Sequence, residues 1–185
     1  MTETPSEPPT ATDVPVEHSA YIQRITTDWG ALEFHVNECI WWLAEVRFGL
    51  GACITSQIYT LDGRLNALHA LLKLRRAPQS LIDELNQLWE ASRGPSEIRN
   101  RTVHDPWAVT QSGKVSRLEI TAKRTLKFGF RPITVKELKA DQEKVRECVL
   151  HFTTFRDKVK AALSALPEIP HEELEPITEG PPPKK

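Results

Sequence analysis

The residues with the clearest chemical potential are Arg99, Asn100 and His104, which lie within six consecutive positions near the end of a predicted helix. Histidine titrates near neutral pH and can accept or donate a proton, and the guanidinium of arginine binds phosphate oxygens with a planar fork of donors. RNA cleavage by the 2'-hydroxyl needs these two functions: proton transfer and cationic stabilisation of the phosphorane. The three residues are therefore the candidate catalytic group.

The spacing of the motif sets the geometry expected within one helix. Asn100 precedes His104 by four residues, so it shares a helical face with the imidazole and could orient it or a phosphate. Arg99 lies about 140° from His104 around an ideal helix, so we expect that a single ideal helix does not bring these side chains together, whereas two copies of the chain could. A purely structural role stays open: Arg99 could pair with Glu33 or Glu97, and His104 could cap carbonyl groups.

A basic segment surrounds the motif although the whole chain has a net charge of only −1. Residues 93–131 carry nine basic residues and three acidic ones, an excess of six positive charges that suits a polyanion such as RNA. A solvated hairpin with ordinary surface charges is the alternative. The candidate RNA-binding residues are Arg101, Trp107, Lys123, Arg124 and Lys127. Trp107 could stack on a base or pack at the start of a strand, and Glu33 on the first helix is a candidate accessory residue or part of a solvated face.

Composition restricts the class of protein further. Apolar residues make up 39% and charged residues 26%, and no apolar run reaches the roughly 18 residues that a membrane span needs. No secretory signal is recognisable, so we expect a cytoplasmic protein without membrane contact. Three scattered cysteines favour reduced thiols over disulfides, and no dense metal-ligand motif occurs. We therefore expect no cofactor and no metal.

The elements that must position the motif are mainly helical. Proline and glutamate dominate residues 1–18 and 167–185, which predicts disordered tails around one domain at residues 19–166. Hydrophobic periodicity predicts helices over residues 19–47, 54–76 and 80–104, the last one capped by Ser80. Gly94-Pro95 should kink the helix of residues 80–104 or make it stop and restart.

The first helix carries a heptad seam from Ile22 to Val46, yet Ile40, Trp41 and Trp42 lie off that seam. Such a helix buries more than one side, as it would in the middle of a bundle or at a dimer interface. A monomer with half-exposed tryptophans is the other interpretation.

Residues 107–131 change to the alternating pattern of a β-hairpin or meander. Thr134 and Glu137 then form a capping box for a long last helix. The sequence thus predicts a mainly α protein, an up-and-down bundle of four to five helices with a small β insertion before the last helix.

The segment from Glu97 to His104 resembles the Arg-Asn-x-x-x-His signature of the HEPN family, and the order of helices from about Tyr21 to Leu163 looks similar to bacterial members. The resemblance implies a metal-independent endoribonuclease that leaves a 2',3'-cyclic phosphate, in a toxin, abortive-infection or stress role. It also implies a homodimer with a composite cleft and a partner such as an antitoxin or regulatory protein. A catalytically silent HEPN module that binds RNA or protein is the alternative. Pro106 stands where one toxin branch has an adenylylated tyrosine, so control by that route is not expected.

Overall fold

The computed structural model describes residues 13–110, 112–122 and 125–169. Within them lie α1 (Val16–Leu43), α2 (Phe48–Thr55), α3 (Leu61–Leu74), α4 (Gln79–His104) and α5 (Val135–Ala162), with a 3-10 turn at Leu163–Ala165. The strands β1 (Trp107–Val109), β2 (Val115–Thr121) and β3 (Lys127–Pro132) form an antiparallel meander between α4 and α5. The predicted fold class is confirmed. Most of both predicted tails lies outside the described residues, and α1 begins three residues before the predicted domain.

Side-chain contacts give the directions of the helices. Glu33 pairs with Arg64 and the Leu43 carbonyl accepts from Arg75, so α1 and α3 run the same way. Asp28 accepts from Gln142, and Glu38 accepts from Arg156 ten residues further on, so α5 also runs parallel to α1. The α4 helix runs in the opposite direction, since Glu84 near its start binds Lys158 near the end of α5. The short α2 returns the chain from the end of α1 to the start of α3.

The core lies along the heptad seam of α1, as the periodicity predicts. Its fully buried members on α1 pack with the apolar faces of the other long helices, including Leu65, Leu85, Phe152 and Phe155. The off-seam residues Ile40 and Trp41 are buried within the same chain. The bundle interpretation therefore accounts for these two side chains without a partner. None of the described helices combines the length and apolar character that crossing a bilayer requires.

Two predicted helix boundaries were wrong because both ends use a left-handed residue that is not glycine. At the end of α1 the chain turns at Glu45, whose φ is 56°, and the Val46 amide donates to the Trp41 carbonyl. Arg76, with a φ of 49°, closes α3 in the same way. This Schellman geometry favours glycine, so glutamate and arginine at these sites gave no stop signal.

The residues left between the first two predicted helices, 48–53, were expected to be non-helical; this was also wrong, since they lie inside α2. Gly51 is buried, and a methyl group there would overlap the indole ring of Trp41. The Trp41 Nε1 donates to the Thr55 Oγ1 at 3.2 Å, and that hydroxyl donates to the Gly51 carbonyl. Glycine at 51 therefore permits close packing of α2 on α1 rather than a break.

The α4 helix continues through Pro95 and neither stops nor restarts there. Pro95 has no amide hydrogen for the carbonyl of Ala91, and Ala91 is exposed, so water can satisfy that carbonyl. Ser80 does not cap the helix, which begins at Gln79 after Pro78 without a side-chain cap. As a result, one continuous helix carries the chain from the core to His104.

The capping box of α5 is confirmed. Thr134 Oγ1 accepts from the Glu137 amide, and the Glu137 carboxylate accepts from the Thr134 amide at 2.8 Å. These hydrogen bonds lower the pKa of Glu137; burial acts in the opposite direction, and Arg131 lowers the pKa further. The box fixes where the chain leaves β3 and enters α5.

The two glycines of α2 allow a matched test of the packing of α2 on Trp41. We expect Gly51→Ala to lower the free energy of unfolding by about 2 kcal/mol, because the added methyl group displaces a buried indole. Gly49 has open space at its Cβ position, so Gly49→Ala should raise stability by about 0.5 kcal/mol. Urea denaturation followed by circular dichroism measures both. Equal effects of the two substitutions would contradict the packing role of Gly51.

Candidate active-site cleft

An open cleft of about 860 Å³ runs along the second half of α4. Its walls come from Trp29 and Glu33 of α1, residues 59–62 before and at the start of α3, residues 92–105 of α4 and its cap, and residues 120–122 at the end of β2. Arg99, Asn100 and His104 all line it. The cleft is thus the place where the predicted motif meets other parts of the fold.

Within this cleft a single chain brings Arg99 and His104 together. The Arg99 Nη1 donates to the Asn100 Oδ1 at 2.9 Å and lies 3.4 Å from the His104 Nε2. The expectation that a single helix does not bring these two side chains together was wrong. It treated the side chains as points on a helical wheel, whereas the long arginine side chain reaches around the last turn of α4.

The contact also indicates which of the two groups donates the hydrogen bond. A guanidinium donates hydrogen bonds and accepts none. As a hydrogen bond, this contact has the Arg99 Nη1 as the donor and the His104 Nε2 as the acceptor. Asn100 receives its hydrogen bond from Arg99, so it orients the arginine in this structure.

Arg99 differs from the neighbouring arginines in its partners. Arg64, Arg101 and Arg117 each form an ion pair with at least one carboxylate. Among the residues that the structure describes, no carboxylate lies within salt-bridge distance of Arg99, and its buried Nε has no hydrogen-bond partner. The structural role in which Arg99 pairs with Glu33 or Glu97 is therefore not seen. Arg99 retains donors and a full positive charge for an anion in the cleft.

Glu33 lines the cleft but binds a different arginine. Its Oε1 accepts from the Arg64 Nη1 at 3.0 Å, and the Arg64 side chain is largely buried. The pair joins α1 to α3 beneath the motif. Glu33 thus lines the cleft, as expected of an accessory residue. The charge of its carboxylate is compensated by Arg64 on α3.

The other predicted RNA-binding residues occupy varied positions. Arg101 lines the cleft, and its guanidinium is bound by Glu97 and Asp105; these pairs raise its pKa although burial acts in the opposite direction. Trp107 donates from its Nε1 to the Thr102 carbonyl at 2.9 Å, so it packs against the end of α4. Lys127 is exposed at the start of β3. Lys123 and Arg124 lie outside the described residues.

Sequence reasoning missed the role of Arg117, which it counted only as one of the basic residues. Arg117 is 4% exposed and donates to the Glu119 Oε1 at 2.7 Å, while its Nε lies 3.8 Å from the Asp105 Oδ2. Its guanidinium also lies over the Trp107 ring, 5.7 Å from the centroid. We call Asp105, Trp107, Arg117 and Glu119 the Arg117 clasp. The clasp holds the residue that follows His104 against the sheet.

Tyr59 and Asp62 also line the cleft and were not predicted. Tyr59 is 83% exposed at the rim, and the Asp62 Oδ1 accepts from the Trp89 Nε1 at 2.6 Å. Both lie where the chain enters α3, far from the motif in sequence, so the pattern gave no sign of them. Within the described ranges, no group of three or more His, Cys, Asp or Glu side chains is placed to hold a metal ion.

No family model, curated protein or solved structure matches the chain. The chemistry and geometry of the cleft therefore carry the evidence for its function.

The Arg117 clasp predicts an acid-sensitive contribution to stability. Burial alone would raise the pKa of Glu119, but Arg117 and Arg131 outweigh it, so the pKa lies below its ordinary value of 4.5. This stability is fully present above that ordinary value and is lost as the pH falls through the lowered one. Arg117→Met should therefore cost about 2 kcal/mol near neutral pH, where it leaves partly buried carboxylates without their cation, and less at about pH 3.

Urea denaturation at the two pH values measures this difference. Arg93→Met serves as the control, because Arg93 is well exposed and, among the described residues, pairs only with Glu90. We expect it to change stability by less than about 0.5 kcal/mol at either pH. A cost of Arg117→Met that stayed the same at both pH values would argue against the coupling between Arg117 and Glu119.

Proposed function

We propose that this chain is a HEPN-type, metal-independent endoribonuclease that cleaves RNA by 2'-hydroxyl attack. The observation that carries the proposal is the Arg99 guanidinium, which has no carboxylate partner among the described residues and lies against the His104 imidazole in an open cleft. A cation without a counter-ion next to a titratable base is suited to a phosphodiester. The resemblance of residues 97–104 to the HEPN signature supports the same reaction.

The proposed reaction forms one bond and breaks another at the same phosphorus. The 2'-oxygen bonds to phosphorus while the bond to the 5'-oxygen breaks, which leaves a 2',3'-cyclic phosphate and a 5'-hydroxyl. The incoming phosphate attracts the Arg99 guanidinium and releases the His104 Nε2, which then accepts the proton of the 2'-hydroxyl. Arg99 stabilises the negative charge of the phosphorane, and Asn100 keeps the guanidinium oriented.

A homodimer is part of the proposal because cleavage requires two proton transfers. His104 is the only histidine among the described residues that line the cleft, so a second copy would supply a second imidazole to protonate the 5'-oxygen. Exposed apolar residues on α2 and the adjacent part of α1 support self-association: Phe34, Phe48, Leu50 and Ile54. A toxin, defence or stress role, with an antitoxin or regulatory protein as partner, belongs to the same proposal.

A second candidate function is an RNA-binding HEPN module without catalysis. It is favoured by the observation that Arg99 occupies the Nε2 lone pair that a general base needs. In such a module Arg99 would hold phosphate, and His104 would do no more than fix the arginine.

Cleavage of a mixed RNA in EDTA separates the two candidates. We expect the wild-type protein to degrade the RNA, and His104→Ala and Arg99→Ala each to lower the rate by at least about 100-fold, because they remove the base and the phosphorane cation. Arg99→Lys should recover only part of the activity, since an ammonium lacks the planar fork. Arg146→Ala, an exposed arginine on α5, should cut at the wild-type rate.

The products test the mechanism independently. Ends with a 2',3'-cyclic phosphate are expected, and 3'-hydroxyl ends would contradict 2'-hydroxyl attack. Binding of RNA without decay, unchanged in His104→Ala, would establish the module instead of the nuclease. Decay that persisted equally in His104→Ala would contradict the proposed nuclease activity of this cleft.

The self-association surface has its own test. Light scattering after gel filtration should give twice the chain mass for the wild type, and Ile54→Glu should shift the protein to a monomer, because burying an unpaired carboxylate in an apolar interface is costly. Leu150→Glu, at an exposed apolar position on α5, is the control and should stay dimeric. A wild-type protein that is monomeric over the accessible concentrations would rule out this part of the proposal.

A further inference from the structure

One face of the sheet is left uncovered by the part of the chain that the structure describes. Phe128 and Phe130 alternate with Lys127, Gly129 and Arg131 along β3, so the two phenyl rings lie on one face. They are 74% and 43% exposed, although buried aromatic side chains fill the core of the bundle. Two neighbouring exposed phenyl rings are unusual on the surface of a small protein and indicate a binding surface.

This aromatic face is continuous with the cleft. In the β2–β3 register Phe128 is opposite Ile120 and Phe130 is opposite Leu118, which places these four side chains on the same face. Ile120 is itself exposed and is one of the residues that line the cleft with Arg99 and His104. A chain lying in the cleft can therefore extend onto β3 without leaving the surface.

The charge of the meander favours a polyanion over an acidic or neutral apolar partner. Residues 107–131 contain six basic residues and one acidic residue in the sequence, an excess of five positive charges. Arg117 and Arg131 lie on the opposite face of the sheet and are paired with Glu119, so the phosphate groups would be held at Arg99 in the adjoining cleft while bases cover the rings. This combination of aromatic side chains and positive charge is what single-stranded nucleic acid binds.

We propose that Phe128 and Phe130 form a stacking platform for unpaired bases of a single-stranded RNA whose phosphate lies at Arg99 and His104. The inference rests on the proposed function, to which it adds the class of substrate. Side chains two residues apart on one strand are separated by about 7 Å, a distance that two successive unstacked bases can span. Paired bases do not expose their faces, so the platform selects single strands over duplexes.

RNA binding in the full-length His104→Ala protein tests the platform without cleavage. The fluorescence anisotropy of a labelled ten-nucleotide single-stranded RNA gives the dissociation constant. Phe128→Leu with Phe130→Leu keeps most of the apolar area but removes both π-faces, and we expect it to weaken binding by 10-fold or more, on the order of stacking losses per base. Phe128→Tyr with Phe130→Tyr should bind within about 2-fold of the parent.

Two controls define specificity. Leu150→Ala removes an exposed apolar side chain on α5 and should leave the dissociation constant unchanged. A duplex RNA of the same sequence should bind weakly, with no difference between the parent and the leucine variant. Thermal unfolding should be the same in all variants, because the exposed rings contribute little to the core.

Each outcome either supports the stacking platform or refutes it. An unchanged dissociation constant in the leucine variant overturns the inference, as does an equal loss in the leucine and tyrosine variants. If the leucine variant binds RNA normally but no longer self-associates, the face is an interface between copies. Wild-type cleavage of RNA with no effect of the rings refutes the platform alone, and ring-dependent binding without any cleavage refutes the nuclease alone.

Discussion

The buried guanidinium of Arg117 ties the end of α4 to the sheet, and the geometry of the cleft depends on it. Asp105 follows His104 directly, so the attraction between Asp105 and Arg117 determines where the last turn of α4 ends. Glu119 binds the other side of the same guanidinium, and Trp107 covers it while donating to the carbonyl of Thr102. A charge buried in this way is costly unless it is paired, so Glu119 and Asp105 stabilise the position of Arg117 between the sheet and the end of α4.

Several arginines of the described residues differ from Arg99 in their partners. Arg64 and Arg75 pair with carboxylates on or next to another helix, whereas Arg101 pairs within α4 and its cap and Arg117 pairs with Glu119 on its own strand and with Asp105 after α4. Arg99 lies among them on α4 and contacts Asn100 and His104 instead. Because the surrounding acids are already neutralised by other arginines, the positive charge of Arg99 remains available. The ion pairs of the fold therefore leave Arg99 in the cleft with a positive charge that no described carboxylate compensates.

The two faces of the β-meander carry different kinds of side chain. One face carries Arg117, Glu119 and Arg131, whose ion pairs connect the sheet to the ends of α4 and α5. The other face carries Ile120, Phe128 and Phe130, which are exposed beside the cleft. The alternation of a β-strand makes this division possible, because successive side chains point to opposite faces. A single strand of six or seven residues can therefore hold the sheet in place with one face and present the proposed binding surface with the other.

The sequence by itself determined the helical bundle, the heptad seam of α1, the meander and the capping box of α5, because each depends on local periodicity or on neighbours three or four residues apart. It also located Arg99, Asn100 and His104 at the end of one helix. Only the tertiary structure decided that Gly51 lies inside a helix and that left-handed residues at Glu45 and Arg76 close α1 and α3, since packing against Trp41 and left-handed turns leave no local signal. It also decided which arginines are neutralised: the partners of Arg64 and Arg75 lie about thirty residues away, so the freedom of Arg99 depends on contacts that a linear pattern does not contain.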